Sequence, residues 1–169
     1  MPTPQPNILF ILIDDLGWRD LVCYGSDFYE TPHLDKLAGR GLRFDNAYAA
    51  APVCSPTRAS ILSGKYPATV GVTQFIGGHG VVRLQDVPYH HNLPANEVSL
   101  ATALREGGYQ TWHVGKWHLG NAQTRPEDHG FDVNVGGAEF GQPRKGYFSP
   151  HNLPKIEEGP EGEYLTDRL

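Results

Sequence analysis

The chain is poor in cysteine, in long apolar runs and in clustered positive charge, and each shortage excludes a class of protein. Its 169 residues contain two cysteines, too few for a disulfide framework, although a single bridge between Cys23 and Cys54 stays open. No apolar run is long enough to span a membrane. The net charge is -5 and the basic residues form no run, which argues against a broad nucleic-acid-binding surface.

The N-terminal segment also lacks the features of a signal peptide. MPTPQPNILFILIDD has no positively charged start and no small-residue cleavage site, and its apolar part is short. We therefore interpret residues 7–13 as a strand that is buried on both faces. The location stays open: cytoplasmic by default, with export of a longer protein as the alternative.

Apolar segments of strand length alternate with segments of helix length, which predicts an α/β fold with a mainly parallel sheet flanked by helices. Helix signals are clear where Thr31 precedes a segment that stops at Gly39 or Gly41, and where Gly64 follows an apolar run. Strands are predicted at 7–13, 42–49 and 109–114. Helices are predicted from 32 to 38 or 40, at 56–62 and at 96–106, and loops at 71–95 and 136–163.

Two polar clusters stand where α/β proteins bind ligands, at a strand end and at a helix start. Asp14 and Asp15 follow the first predicted strand and offer paired carboxylates to a hard cation, or simply cap a turn. Cys54 and Arg58 begin a helix whose unpaired N–H groups and dipole favour an anion. The alternative for this second pair is a structural thiol beside a surface arginine.

A third cluster follows the predicted strand 109–114. Lys116 and His118 would point the same way in an extended loop and combine positive charge with a proton-transfer group, or else decorate a solvated turn. His79, His90 and His91 lack the spacing of a zinc site, so we interpret them as surface or substrate-rim residues.

Three segments in this order resemble the type I sulfatases of the alkaline phosphatase superfamily, in the arylsulfatase and N-acetylgalactosamine-6-sulfatase branch. They are PNILFILIDDLGWRDLVCYG, CSPTRASILSGKYP with its pattern C-x-P-x-R, and GYQTWHVGKWHLG. The resemblance covers essentially the whole chain and implies an alkaline phosphatase-like fold. It identifies residues 1–169 as the N-terminal portion of a catalytic domain, with the rest of that domain and a C-terminal subdomain absent.

The resemblance implies a sulfuric ester hydrolase acting on an aryl sulfate or a sulfated sugar. A formylglycine-generating maturation enzyme would recognise Pro56 and Arg58 and oxidise Cys54 to formylglycine. One hydroxyl of the hydrated aldehyde would attack sulfur and displace the alcohol, and loss of the other hydroxyl's proton would release sulfate and restore the aldehyde. Asp14, Asp15 and an oxygen of the modified Cys54 would hold Ca²⁺, with Mg²⁺ as the alternative.

The same resemblance implies further roles in the site. Arg58 would stabilise the hydrated aldehyde, Lys116 would bind a sulfate oxygen, and His118 would hydrogen-bond the hydrate or nearby sulfate oxygens. Lys65 would support the loop. Substrate specificity would come from the rims 73–95 and 136–160, which carry Tyr89, His90, His91 and Arg144.

Two other functions stay open. Phosphonate monoester and phosphodiester hydrolases of the same superfamily share C-x-P-x-R, although the segment GKWHLG favours a sulfatase. A non-catalytic domain that binds sulfated glycans would keep Cys54 as a thiol.

We predict that the 169-residue chain alone does not turn over a sulfate ester. A second pair of metal ligands, another His and another Lys would come later in a sulfatase, so about half of the metal shell is expected here. The measurement is release of a chromogenic phenol from its sulfate by the purified chain in Ca²⁺, beside an intact sulfatase. Turnover that a chelator abolishes would contradict the prediction.

Overall fold

A computed structural model describes residues 5–78, 83, 87–121 and 124–169 and divides the chain into two compact units, Met1–Tyr48 and Ala49–Leu169. The first unit contains a 3-10 turn, Val22–Tyr24, and helix α1, Pro32–Ala38. The second contains α2 (Cys54–Ser63), α3 (Pro67–Val70), α4 (Leu100–Glu106), strand β1 (Trp112–Val114), a 3-10 turn (Pro126–His129), β2 (Val133–Val135) and α5 (Leu165–Arg168). No helix within these described residues is long and apolar enough to cross a membrane.

Helix α1 begins where the sequence predicted, after Thr31, and it ends before Gly39, the earlier of the two predicted stops. The Thr31 hydroxyl accepts the backbone N–H of Val22 at 3.0 Å, and the Asp35 carboxylate accepts that of Cys23 at 2.9 Å. Thr31 therefore ties the helix to the preceding 3-10 turn instead of capping its own helix through its side chain.

The prediction of a buried strand at 7–13 is wrong for this chain. The apolar side chains from Ile8 to Ile13 are 39–85% exposed, and these residues form no strand ladder in the described chain. The predicted strand 42–49 is likewise irregular. A central parallel strand needs paired neighbours and a covering layer on each face, and an apolar run can signal that need without supplying the partners.

The α/β class is confirmed by a two-stranded parallel sheet accompanied by helices. Strand β1 pairs with β2 in the register Trp112 to Val133 and Val114 to Val135. The predicted strand 109–114 is thus present in its last three residues. Because parallel strands end at the same edge, the segments that follow β1 and β2 both begin at one edge of the sheet.

Helix α2 begins at Cys54, two residues earlier than predicted, and ends before Gly64, whose φ of 68° is left-handed. Helix α4 begins later than predicted, after Ser99. The core of the second unit lies against α2 and the segment after β1. It consists of Ala59, Val70, Val72, Leu93, Trp117 and Leu119, with Leu62, Ile76 and Phe131 packed against it.

Replacing Ser99 should destabilise the second unit, because its buried hydroxyl serves two segments. It accepts the N–H of Thr102 at 3.0 Å, capping α4, and donates to the His129 carbonyl. Ser99→Ala should lower the free energy of unfolding by about 2 kcal/mol, as measured by urea denaturation with tryptophan fluorescence. The control is Ser63→Ala, whose hydroxyl donates to Ala59 in its own helix, with an expected change below about 0.5 kcal/mol. Equal changes in both variants would contradict the double role of Ser99.

Candidate active site

Cys54 and His118 meet in the second unit although 64 residues separate them. Cys54 is the first residue of α2, and its Sγ lies 3.2 Å from Nδ1 of His118. His118 is 4% exposed, while Cys54 is half-buried. Neither Cys54 nor Cys23 forms a disulfide, so the bridge left open by the sequence is not made. The structure therefore brings together the predicted nucleophile precursor and the predicted histidine.

The hydrogen bond of Nε2 in His118 determines whether Nδ1 is a hydrogen-bond donor or acceptor. Nε2 lies 2.8 Å from the backbone carbonyl of Ile76, which can only accept a hydrogen bond. Nε2 must then carry a proton and donate it to that carbonyl. In the neutral ring Nδ1 is consequently the acceptor, and the Cys54 thiol is the donor that faces it.

The loop GKWHLG is not extended, so the condition for Lys116 and His118 to point the same way is not met. Gly115 has a φ of 92° and His118 a φ of 54°, both left-handed. Trp117 and Leu119 are buried on either side of His118. Lys116 is half-buried, and its backbone carbonyl accepts a hydrogen bond from Nη1 of Arg58 at 2.5 Å. Arg58 therefore links α2 to the loop through one of its N–H groups.

Three residues of the site carried no signal in the sequence. The Ser55 hydroxyl contacts the backbone carbonyl of His118, and the Ile76 carbonyl contacts its ring. The N–H of Ile76 also binds the Ser55 hydroxyl. Gly141 packs on the imidazole so closely that a Cβ built there would lie 2.7 Å from Cε1. The helix-start position of Ser55 was visible, but its partners lie in distant segments that sequence spacing does not connect.

His113, on β1, is a half-buried histidine near the charge of Arg58. Burial lowers the pKa of His113 to about 4, and the positive charge of Arg58 acts in the same direction. The carbonyl of Gly115, 3.1 Å from Nε2, opposes the shift. His113 is thus neutral near pH 7, which leaves Arg58 without a second positive charge at this position.

Asp14 and Asp15 occupy an exposed turn in the N-terminal unit, where Asp15 has a left-handed φ of 58°. Two adjacent carboxylates are suitable oxygen donors for Ca²⁺. Among the residues that the structure describes, no three His, Cys, Asp or Glu side chains form a metal-binding group. The metal shell of Asp14, Asp15 and modified Cys54 stays a prediction.

Residues predicted at the rim of the site are partly described. His91 stacks on Tyr89 at a ring separation of 4.4 Å, and His90 packs on Gly71. Arg144 lies 3.9 Å from the centre of the Phe140 ring. His79 lies outside the described residues. Away from the rim, the salt bridge from Lys65 to Glu97, at 2.6 Å, agrees with a supporting role for that lysine.

A family model described as Sulfatase matches residues 6–169. This chain belongs to the sulfatase family. The resemblance seen in three short segments is therefore confirmed along nearly the entire chain. The α/β fold with a parallel sheet is that of a partial sulfatase chain of the alkaline phosphatase type.

Individual relatives agree with the family match. The steryl-sulfatase of Rattus norvegicus is 43% identical over 142 residues, covering 80% of this chain and 24% of that protein. The N-acetylgalactosamine-6-sulfatase of Homo sapiens is 42% identical over 153 residues, covering 88% of this chain and 28% of that protein. The chain thus spans about a quarter of the length of these curated relatives.

Solved structures match at similar coverage. The crystal structure of Ps i-CgsB superposes with a TM-score of 0.68 at 29% identity, over 91% of this chain and 37% of that chain. A structure solved in work on the metabolism of multiple glycosaminoglycans by Bacteroides thetaiotaomicron gives a TM-score of 0.62 at 36% identity, over 77% of this chain and 28% of that chain. Both likenesses support the assignment of the fold to the sulfatase family.

The stability of this sulfatase chain should fall in mild acid because of His113. Its folded pKa of about 4 lies below the ordinary value of 6.5, so protonation favours the unfolded chain. The contribution is complete above about pH 6.5 and is lost as the pH falls towards 4, by up to about 3 kcal/mol. Urea denaturation at several pH values measures it.

The control for that experiment separates His113 from the other histidines. His113→Gln should flatten part of the slope between pH 6.5 and 4, and buried His129, whose pKa burial also lowers, should account for part of the remainder. His33→Gln, at an exposed position on α1, should leave the slope unchanged. A full wild-type slope in His113→Gln would contradict the assignment.

Proposed function

We propose that the protein containing this chain is a sulfatase that hydrolyses a sulfate ester with a formylglycine made from Cys54. The observation that carries the proposal is the placement of Cys54 at the first position of α2, 3.2 Å from a buried histidine. The pattern C-x-P-x-R, through Pro56 and Arg58, adds the recognition sequence expected for the maturation enzyme. Family membership supports the reaction class.

The residues around Cys54 have distinct tasks in this proposal. His118 presents Nδ1 to residue 54, and it accepts a proton there while Nε2 donates to Ile76. Arg58 brings a permanent positive charge into a half-buried place and holds the loop at Lys116. A sulfate ester is an anion, and fixed positive charge lowers the cost of bringing it to a nucleophile.

The cation belongs to the proposal as well. Asp14 and Asp15 would supply two carboxylates to Ca²⁺, and the oxygen of modified Cys54 a third ligand. The ion, when bound, supplies positive charge that polarises a sulfate oxygen. Mg²⁺ would accept the same oxygen ligands, but it prefers a smaller and stricter octahedral geometry.

We propose a sulfated small molecule or glycan as the substrate, and a formylglycine-generating enzyme as the protein partner. The names of the relatives range from a steryl-sulfatase to an N-acetylgalactosamine-6-sulfatase. One structural neighbour, Ps i-CgsB, has been solved with k-i-k-neocarrahexaose and superposes with a TM-score of 0.69. These relatives support the sulfate ester as the shared chemical group and leave the alcohol it is attached to unspecified.

Co-expression of the chain with a formylglycine-generating enzyme should convert Cys54. The tryptic peptide FDNAYAAAPVCSPTR should lose about 18 Da, because sulfur and two hydrogens are replaced by one oxygen. The peptide DLVCYGSDFYETPHLDK, which carries Cys23 outside the recognition pattern, is an internal control and should keep its mass. Mass spectrometry of both peptides from one digest measures the two outcomes together.

Two variants sharpen the experiment. Cys54→Ser should show no loss of 18 Da with this enzyme, and Arg58→Lys should reduce conversion because the guanidinium of the recognition pattern is lost. If Cys54 stays a thiol while a known substrate peptide is converted in the same cells, the proposed nucleophile does not exist. A binding domain that keeps its thiol would then replace the sulfatase proposal.

A further inference from the structure

The Ser55 hydroxyl lies at the junction of three segments of the second unit. Ser55 is fully buried on α2, next to Cys54. Its Oγ donates to the backbone carbonyl of His118 at 2.9 Å and accepts the backbone N–H of Ile76 at 3.0 Å. One hydroxyl has one proton to donate, and here it goes to the loop that carries the histidine.

The two hydrogen bonds of Ser55 involve the same two residues, Ile76 and His118, that meet in the contact at Nε2 of the imidazole. The residue whose N–H Ser55 binds is the same Ile76 whose carbonyl lies 2.8 Å from Nε2 of His118. Ser55 therefore holds the acceptor of the Nε2 proton with one bond and the backbone of His118 with the other. A shift of either segment would separate Nε2 from its acceptor.

Two further contacts of His118, one of its backbone and one of its ring, involve the segment after β2. The N–H of His118 donates to the carbonyl of Ala138 at 3.1 Å, which joins the loop to the segment after β2. Gly141, in the same segment, leaves room for the ring, since a Cβ there would lie 2.7 Å from Cε1 and 3.1 Å from Nε2. Because Gly141 has no side chain, the imidazole can occupy the position in which Nε2 faces the Ile76 carbonyl.

We propose that Ser55 is a positioning residue for His118: by tying the backbones of Ile76 and His118 together, its hydroxyl keeps the proton on Nε2 and the acceptor Nδ1 directed at residue 54. Gly141 contributes by having no side chain, which leaves space for the imidazole. The inference concerns the unmodified chain and does not depend on whether Cys54 becomes formylglycine.

The experiment reads the tautomer of His118 directly in the 169-residue chain. Long-range ¹H–¹⁵N correlation spectra of the imidazoles are recorded on ¹⁵N-labelled protein at one fixed pH near 8, and His118→Gln identifies the resonances. Wild type should show His118 as the tautomer protonated on Nε2. Ser55→Ala should increase the ratio of the Nδ1-protonated to the Nε2-protonated form about fivefold, as the loss of one buried hydrogen bond would produce.

The matched control is Ser63→Ala, which removes a hydroxyl from the same helix whose donated bond goes to Ala59. It should leave the His118 tautomer as in wild type. A folded Ser55→Ala, judged by its backbone amide spectrum, with the same tautomer ratio as Ser63→Ala would overturn the proposal. The imidazole spectrum measures the tautomer ratio of His118 itself, so the result does not depend on how far either substitution changes the stability of the chain.

A second variant decides the matter if Ser55→Ala does not fold. Gly141→Ala retains the Ser55 hydroxyl but places a methyl group 2.7 Å from Cε1 and 3.1 Å from Nε2 of His118. The ring should be displaced from its present position, its contact with the Ile76 carbonyl should be lost, and the tautomer ratio should shift in the same direction. An unchanged ratio in a folded Gly141→Ala would overturn the proposed packing. Failure of Cys54 to be converted would affect the proposed function alone, because the tautomer is measured on the thiol form.

Discussion

Trp117 and Leu119 are buried in the core on either side of His118, and their burial holds the site in place. A left-handed φ of 54° costs a non-glycine residue on the order of 1 kcal/mol, whereas burying a large apolar side chain contributes roughly 2 kcal/mol. Two such side chains outweigh the local backbone cost. Because both must enter the core, the turn between them directs the imidazole towards the start of α2.

The charges around Cys54 follow from the same packing. Arg58 carries the permanent charge of a guanidinium, and one of its N–H groups donates to the Lys116 carbonyl. His113 is neutral instead, since burial penalises its imidazolium by more than the Glu127 carboxylate and the backbone carbonyls favour it. The helix N-terminus adds a modest preference for negative charge, on the order of 0.5 kcal/mol. The permanent guanidinium, a full positive charge, is therefore the larger attraction for an anion at this place.

Features with local causes were predictable from the sequence, and features with distant causes were not. Thr31, Gly39 and Gly64 lie at helix ends in the structure, and Gly64 ends its helix in the left-handed conformation that glycine favours. Residues 7–13 have the composition of a buried strand, yet burial depends on neighbours, and here they are exposed. Strand β2 was missed because its three residues make too short an apolar pattern.

The candidate site shows the same division. Cys54, Arg58 and His118 were found because each belongs to a short motif, but the approach of Cys54 and His118 to 3.2 Å required the fold. The serine and glycine that border the histidine could not be found by spacing. Ser55 is one serine among several, and Gly141 matters only because an imidazole packs on it. Sequence patterns thus predicted the chemical groups, and packing determined their orientation.

The contacts that orient His118 do not involve the sulfur of Cys54. Its N–H binds Ala138, its carbonyl binds Ser55, and its Nε2 binds Ile76. Residue 54 contributes only the partner of Nδ1. Exchanging that partner from a thiol to an oxygen group would leave these three hydrogen bonds intact. These supporting contacts of His118 are present while residue 54 is still a cysteine, so the proposed maturation step would need to change one side chain and no part of the surrounding fold.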